Sequence, residues 1–466
     1  MNKVTLIVDR VWTKVVTDDD NVHKILDVSL SFLVKHRFFV QSYKMKLWDG
    51  KHRFYDLLRN RFLTGFLDLV TKELKKRGYI VEIIDSNNVL PKPIEIDKVD
   101  LLGGIDKVRF DTVQLPVMKE MLKAGRCVLR LATGSGKSEV IAGIAKVLSD
   151  KNVLILVHRV ELLQQMIERL EKRLGDKIGK ISSNEIDIQR ITVGMVMSVW
   201  SKRQTLRKYL KEEVEVVISD ETHRAGSTIW SKVLQITNAK YRMGVSGTPI
   251  KGDEVRDMLL IGLTGKVIEG LGVMDLVEAG YAVAPKVKFI NTIDRLGRFD
   301  LKGFKYNNVY DAVYNNEKLM DMVVEIVKKH KGSGIVIFTE RVEVCLKLFE
   351  FLKRSGINVG ITYGGFEDNA RLNILEDFKN KNIDVLVTTV ILDEGVDVPS
   401  ISGVIFMTSG KSLVRILQRV GRGVRKEDGK DSVIIYDFVV DAPYLKKHAL
   451  ERAKIYEKER FDIEII

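Results

Sequence analysis

The chain has 466 residues, 45% hydrophobic and 30% charged, and Lys and Arg outnumber Asp and Glu to a net charge of +13. That length exceeds what one core supports and predicts two or three domains, and the composition excludes disordered, collagenous and disulfide-stapled classes. No apolar run reaches a membrane span, no signal-peptide core opens the chain, and Cys127 and Cys345 are too few for a disulfide framework or a cysteine-rich zinc site. The expectation is a soluble protein of a reducing cytoplasm, with no membrane role, whose positive charge points to a polyanionic partner.

Residues 1–95 read as a small α+β domain. Residues 4–8 form a strand, 22–33 a helix after the turn Asp18-Asp19-Asp20, 38–41 an extended stretch, 62–77 a helix stopped by Gly78, and 79–84 a strand. Between Lys35 and Arg77 stand twelve Lys/Arg against four Asp/Glu, with Tyr43, Trp48, Phe54 and Tyr55 interleaved. Basic side chains contact phosphates and aromatic rings stack on bases, so Lys44, Lys46, Trp48 and Lys51 are candidates for DNA contacts. A solvated basic face over an aromatic core is the equal alternative. Pro91 and Pro93 mark a linker.

Residues 101–286 and 287–440 each alternate apolar strand candidates with helical stretches, the pattern of a mostly parallel α/β sheet. Strands are predicted at 128–131, 153–157, 190–194, 214–219 and 241–246, then at 334–338, 358–362, 385–388, 403–406 and 433–437. Residues 441–466 read as a charged helix with the stripe Leu445, Leu450, Ile455. The polar and aromatic stretch 294–316 reads either as a strand-separating wedge or as a linker.

Leu131-Ala132-Thr133-Gly134-Ser135-Gly136-Lys137-Ser138 follows one of these strands and precedes a helical pattern over 139–148. Strand, glycine turn and helix make the setting in which backbone N–H groups cradle phosphates. Thr133 to Gly136 would line the cradle, Lys137 would reach the β/γ-phosphates, and the Ser138 hydroxyl would hold Mg²⁺. Leu131 departs from the pattern, which has glycine there. After the strand at 214–219 comes Asp220-Glu221-Thr222-His223. Acids at the carboxyl end of a strand lie on the edge where open α/β sheets bind ligands. Asp220 suits Mg²⁺ and Glu221 suits orienting and deprotonating the attacking water. A helix N-cap is the alternative for an isolated Asp-Glu.

These stretches, from about Phe110 to Arg425, resemble the superfamily 2 DEAD/DEAH-type helicases, motif by motif and in order. The resemblance implies two tandem RecA-like parallel-sheet domains behind the small α+β domain, with ATP and Mg²⁺ as cofactors. Gln114 resembles the upstream glutamine that reads adenine. Residues 157–165, with Arg159, resemble motif Ia, and 192–200, with Thr192 and Ser198, motif Ib. Asp220 to His223 is motif II, and Ser246-Gly247-Thr248-Pro249 motif III, which couples hydrolysis to movement together with His223 and Gln418. Thr339 closes motif IV. Thr388 to Pro399, with Asp397 at the nucleotide, resembles motif V. Gln418-Arg419-Val420-Gly421-Arg422-Gly423-Val424-Arg425 is motif VI.

An arginine delivered to the transferring phosphoryl group is worth roughly 10³–10⁵ in rate. Arg422 and Arg425, three apart, share a face if helical. Arg159, Thr192, Ser198, Thr339, Gly364, Gly365 and Thr388 suit hydrogen bonds to nucleic-acid phosphates, which carry no sequence information; loop capping is the alternative for each. Leu47-Trp48-Asp49-Gly50 and the pattern Phe62, Gly65, Phe66, Gly78, Tyr79 look like the N-terminal domain of UvsW-type phage helicases. That implies a monomeric ATP-dependent DNA helicase remodelling forks or four-way junctions in phage replication, recombination or repair, in the host cytoplasm. An RNA helicase, the motor of a restriction or nuclease complex, and a nucleic-acid-binding protein with a decayed ATP site stay open.

Overall fold

The structure, a computed structural model, describes residues 3–132, 134–222, 228–330, 334–365, 367–389, 401–408 and 432–466. It comprises two compact units, Met1–Gly270 and Leu271–Ile466.

The first unit opens with a five-stranded sheet in the order Tyr55–Asp56, Arg61–Leu63, Trp12–Val16, Lys3–Val8, Ile80–Ile84. Only the last pair is parallel. Strand Lys3–Val8 alternates, burying Val4, Leu6 and Val8 against helices Asp20–Ser29 and Leu67–Lys76, which bury Val22, Leu26, Val70 and Leu74. Several expected elements shift here. The first helix ends at Ser29, and Ser31–Leu33 pairs with Lys51–Arg53 as a small ribbon. The stretch expected to be extended is instead a 3₁₀ turn, Arg37–Phe39, followed by the short helix Gln41–Lys44. Phe62 lies in a strand and the helix starts only at Leu67.

The second sheet has eight strands in the order Ile186–Asp187, Gly179–Ile181, Ile191–Met195, Val153–Val157, Val216–Asp220, Tyr241–Ser246, Arg126–Arg130, Lys266–Glu269. All pairs but the first are parallel. Its central strands are buried on both faces, and Val153–Val157 accordingly reads as an unbroken apolar run. Helices Lys137–Val147 and Val160–Leu174 are tied together by a buried ion pair: Arg173 donates to both carboxylate oxygens of Glu139, at 2.7 and 3.0 Å, and to the carbonyls of Leu102 and Gly103.

The N-terminal sheet is seated on this lobe. One hydrophobic cluster runs from Val4 through Phe66 to Leu263. Gly65 lies so close that a Cβ there would stand 2.1 Å from the Ile261 carbonyl oxygen, a backbone-to-backbone approach that only glycine allows. Arg242, buried, and Arg126, partly buried, complete the seam through backbone carbonyls. Arg242 donates to the carbonyls of Leu234, Thr237 and Leu263, and Arg126 to those of Thr264 and Arg10. Four of those five carbonyls lie at the carboxyl ends of helices Thr228–Ile236 and Glu254–Leu263, where carbonyls lack intrahelical partners and the dipole is negative. Arg10 returns a bond to the Asn238 carbonyl at 2.8 Å.

The second unit is a seven-stranded, wholly parallel sheet in the order Val359–Thr362, Val385–Thr389, Ile335–Thr339, Gly403–Met407, Ser432–Val439, Ala284–Asn291, Asp462–Ile465. Ala284–Asn291 begins before the expected boundary at 287, and the stretch expected to be a terminal helix holds helix Leu445–Lys458 and then an edge strand. Inside the lobe, Arg452 donates to both oxygens of the fully buried Asp437, at 2.6 and 2.8 Å, and Tyr456 donates to one of them at 3.0 Å. The stretch 294–316 is neither wedge nor linker along its length: helix Tyr306–Tyr314 buries Val309, Tyr310, Val313 and Tyr314 in the core.

Candidate active site and nucleic-acid surfaces

Strand Arg126–Arg130 delivers the glycine loop to the carboxyl edge of the eight-stranded sheet. Leu131, where the phosphate-loop pattern has glycine, is fully buried, and its N–H donates to the Ser246 carbonyl at 3.0 Å. The chain is still part of the sheet at this point, so a core side chain is required. Gly134 and Gly136 take φ of +86° and +89°, the left-handed region in which a Cβ is disfavoured. Gly136 leads into helix Lys137–Val147 with no side-chain cap, which leaves first-turn N–H groups for an anion.

Three separate sequence segments meet over this loop. Lys137 Nζ lies 2.8 Å from Glu221 Oε1, both side chains largely buried. Ser246 Oγ donates to Glu221 Oε2 at 3.4 Å, and the Thr248 N–H donates to Ser246 Oγ at 3.2 Å. Glu221 holds φ of +48°, rare for a non-glycine residue, and its N–H donates to Asp220 Oδ1 at 3.0 Å. Strain of this kind is retained where surrounding structure imposes it, and it clusters at functional positions. Withdrawal from water, with the adjacent Glu221 carboxylate second, pushes the Asp220 carboxyl up to about 6, while Lys137 pulls it down.

Asp220 and Ser138 stand at the loop as a carboxylate and a hydroxyl. Among the described residues no group of three or more His, Cys, Asp or Glu could hold a metal. One or two carboxylates with substrate phosphates and waters suit Mg²⁺, so the donor set fits that ion and not a protein-caged one.

Gln114 is buried, and its amide N–H donates to the Ser135 carbonyl. Arg109 donates to the Gly134 carbonyl. Both side chains thus grip carbonyls of the glycine loop. Arg109 was not singled out from the sequence, where nothing but its nearness to Gln114 marks it.

The expected backbone-contact residues divide. Arg159 is half-buried at the carboxyl end of strand Val153–Val157, as the N-cap of the next helix. Thr192 is fully buried near the start of its strand, its hydroxyl donating to the Gln189 carbonyl at 2.8 Å and accepting from the Gln189 N–H at 3.0 Å. That placement does not suit a contact to nucleic acid. Ser198 is buried within helix Val196–Ser201. In the second unit Thr339 and Thr388 are also buried. Thr388 bonds the Thr362 hydroxyl at 3.0 Å, Thr339 lies over the Thr388 carbonyl at 3.5 Å, and the Gly364 N–H donates to Thr389 Oγ1 at 3.3 Å. The threonines bind the strand ends to one another and hold up the loop at Gly364 and Gly365. These hydroxyls, for which the sequence offered phosphate contacts or loop capping, are buried.

On the N-terminal excursion, Lys44 and Lys46 are exposed and Trp48 and Lys51 half-buried, with Trp48 Nε1 donating to the Lys51 carbonyl at 2.8 Å. An open concavity of about 550 Å³ is lined by Phe38, Tyr43, Lys44, Lys46, Leu47 and Trp48 together with one acid, Asp49, and Phe39 is 82% exposed. Several basic residues of this region are neutralised locally: Arg53 by Asp49 and Asp27, Arg59 and Arg61 by Asp56, Arg77 by Glu73. Thr133, His223, Asp397, Gln418, Arg422 and Arg425 lie outside the described residues.

No helix among the described residues is long and apolar enough to cross a membrane. Comparison with known proteins now places the chain. Residues 107–251 match the type III restriction enzyme res subunit family and residues 316–427 the helicase conserved C-terminal domain. The chain is 25% identical to putative helicase 22 of Sulfolobus islandicus filamentous virus over 72% of its own length and 64% of that protein's. It is 26% identical to the DNA 3'-5' translocase XPB2 of Sulfurisphaera tokodaii over 83% of this chain and 91% of that one. With the ATP-dependent DNA helicase uvsW of Enterobacteria phage T4 it shares 23% over 96% and 95%. Among solved structures, S. cerevisiae Dbp5 bound to RNA and ADP BeF3 shares the fold at a TM-score of 0.52, with 17% identity over 77% of this chain and 90% of that one. The two parallel sheets are therefore RecA-like domains, and the chain belongs to the superfamily 2 ATP-dependent helicases, with UvsW among the relatives it matches over nearly its whole length.

Proposed function

We propose that the chain is an ATP-driven DNA helicase or translocase that remodels branched DNA in phage replication, recombination or repair. The observation that carries the reading is the meeting of Lys137, Glu221 and Ser246 at one sheet edge, in the same compact unit as a basic, aromatic N-terminal excursion. The first supplies phosphoryl transfer; the second supplies a surface beyond what tracking a backbone requires. Two of the relatives named above are viral, and one of them is a DNA helicase by its name.

In this reading the first-turn N–H groups and Lys137 would bind the phosphates, while Ser138 and Asp220 would hold Mg²⁺, which would supply charge neutralisation. Thr133, Asp397 and Gln114 complete the nucleotide contacts. Glu221, released from Lys137 when phosphate takes the lysine, orients and deprotonates water. Ser246, bonded to Glu221 and to the Thr248 backbone, passes the change onward; His223 and Gln418 share that coupling role. Arg422 and Arg425 are assigned the transition-state charge.

The test is ATPase stimulation by single strand, duplex, fork and four-way junction, each as DNA and as RNA. The expected order puts fork and junction DNA first, and neutralising Lys44, Lys46 and Lys51 makes the salt dependence of fork binding shallower by about 2–3 in log–log slope. Equal stimulation by every DNA form would remove the branched-substrate role. A preference for RNA would turn the reading to an RNA helicase.

A further inference from the structure

Beside the ends of strands Ser432–Val439 and Ala284–Asn291, the second unit carries an open groove of about 450 Å³. Phe299, Tyr444 and Leu450 give it apolar surface, and Arg298, Lys302 and Lys447 give it charge. All strands of this sheet run parallel, and the Phe299 N–H donates to the carbonyl of Asp441, two residues past a strand end. The groove therefore lies beyond the carboxyl ends of these two strands, on the edge that also bears Thr339, Thr388 and Gly364. None of the sequence motifs falls in it.

Its chemistry is that of a surface made to be covered. Tyr444 is 46% exposed and sits at φ of +65°, a backbone cost that a solvated tyrosine has no reason to bear. Its hydroxyl donates to the Phe304 carbonyl at 3.3 Å, and its ring stands edge-on to Tyr306 at 6.0 Å, so the ring is held in place. Leu450 is 59% exposed. Of the two acids in the lining, Asp441 is paired with Lys446 at 3.3 Å, so Arg298, Lys302 and Lys447 face only Asp300 among the lining carboxylates.

We infer that this groove binds an unpaired nucleic-acid strand, with bases stacking on Phe299 and Tyr444 and phosphates held by Arg298, Lys302 and Lys447. The assignment rests on the motor reading above and extends it: the second RecA-like lobe holds one strand of an opened fork beyond the motif residues. Rings interleaved with cations at a sheet edge are what single strands use, because every base has a π-face and every nucleotide a charge.

The experiment uses the full chain with Lys302→Ala/Lys447→Ala, Tyr444→Ala and Tyr444→Phe, all at exposed positions. Affinity for a fork with a long single-stranded arm is measured against salt, beside affinity for blunt duplex, and ATPase at a saturating short oligonucleotide checks that the motor is intact. The lysine pair should weaken fork binding about tenfold and make the salt slope shallower by about 1.4, the share of two phosphate contacts on a single strand. Tyr444→Ala should lose about tenfold and Tyr444→Phe almost nothing, since the ring and not the hydroxyl stacks. Blunt duplex binding should hardly move. Arms of DNA and of RNA tell which strand the groove prefers, and a loss with either supports it. Wild-type fork affinity and salt slope in the lysine pair, with ATPase intact, would overturn the proposal. A parent protein whose ATPase ignores nucleic acid would instead defeat the motor reading, and direct binding of a labelled oligonucleotide would still decide the groove.

Discussion

The two RecA-like lobes share an architecture and differ at the same edge. At the carboxyl ends of the first sheet stand Lys137, Asp220, Glu221 and Ser246, bonded to one another across three segments. At the corresponding ends of the second stand Thr339, Thr362, Thr388 and Thr389, buried and bonded mainly among themselves and to backbone. A parallel sheet brings loop ends to one rim whatever its sequence. The side chains on that rim decide whether it performs chemistry or holds a surface in place.

The comparison breaks first at the charged rim. Lys137→Ala should reduce ATP turnover by at least about 10²–10³-fold, the usual loss for one preorganised transition-state donor, and leave most DNA affinity in place. Turnover and gel-shift assays on the same preparation check both; normal turnover would remove Lys137 from the site.

Next in size is the buried polar cluster under the second rim. Asp437→Asn strips the counter-charge from Arg452, which is 2% exposed, and should cost about 3–5 kcal/mol of stability in that lobe. Calorimetry should show the second unit melting earlier while nucleotide binding by the first is retained. Parallel losses in both lobes would mean that their stabilities are not separable.

The smallest effect sharpens the threonine reading. Thr388→Val preserves shape and removes the hydroxyl that meets Thr362, so about 1–2 kcal/mol should be lost, with DNA affinity unchanged. A binding defect at unchanged stability would return Thr388 to the nucleic-acid surface.

What could be read in advance follows from how each element is stabilised. Strands buried on both faces, such as Val153–Val157 and Gly403–Met407, carry no polar side chain and announce themselves. Ala284–Asn291 interleaves Pro285, Lys286 and Lys288 with its apolar residues, so it passed as a domain boundary. The edge strand Asp462–Ile465 has too little of its own pattern to separate from the helix before it. At the site, residue identities were plain because phosphate chemistry restricts them. Burial was not: Thr192 and Thr388 look like surface hydroxyls until the sheet closes over them. Arg126 and Arg242 counted toward a basic protein in composition, yet both guanidinium groups face helix-end carbonyls inside it.

The seam between the N-terminal sheet and the first lobe, with Gly65 against the Ile261 carbonyl and Arg10, Arg126 and Arg242 threaded through it, offers no slack about which one part could pivot on the other. The N-terminal sheet then acts as a rigid outrigger. On the motor reading, a nucleotide-driven displacement of that lobe would carry with it the exposed aromatic segment around Phe38 and Phe39, which belongs to the same compact unit.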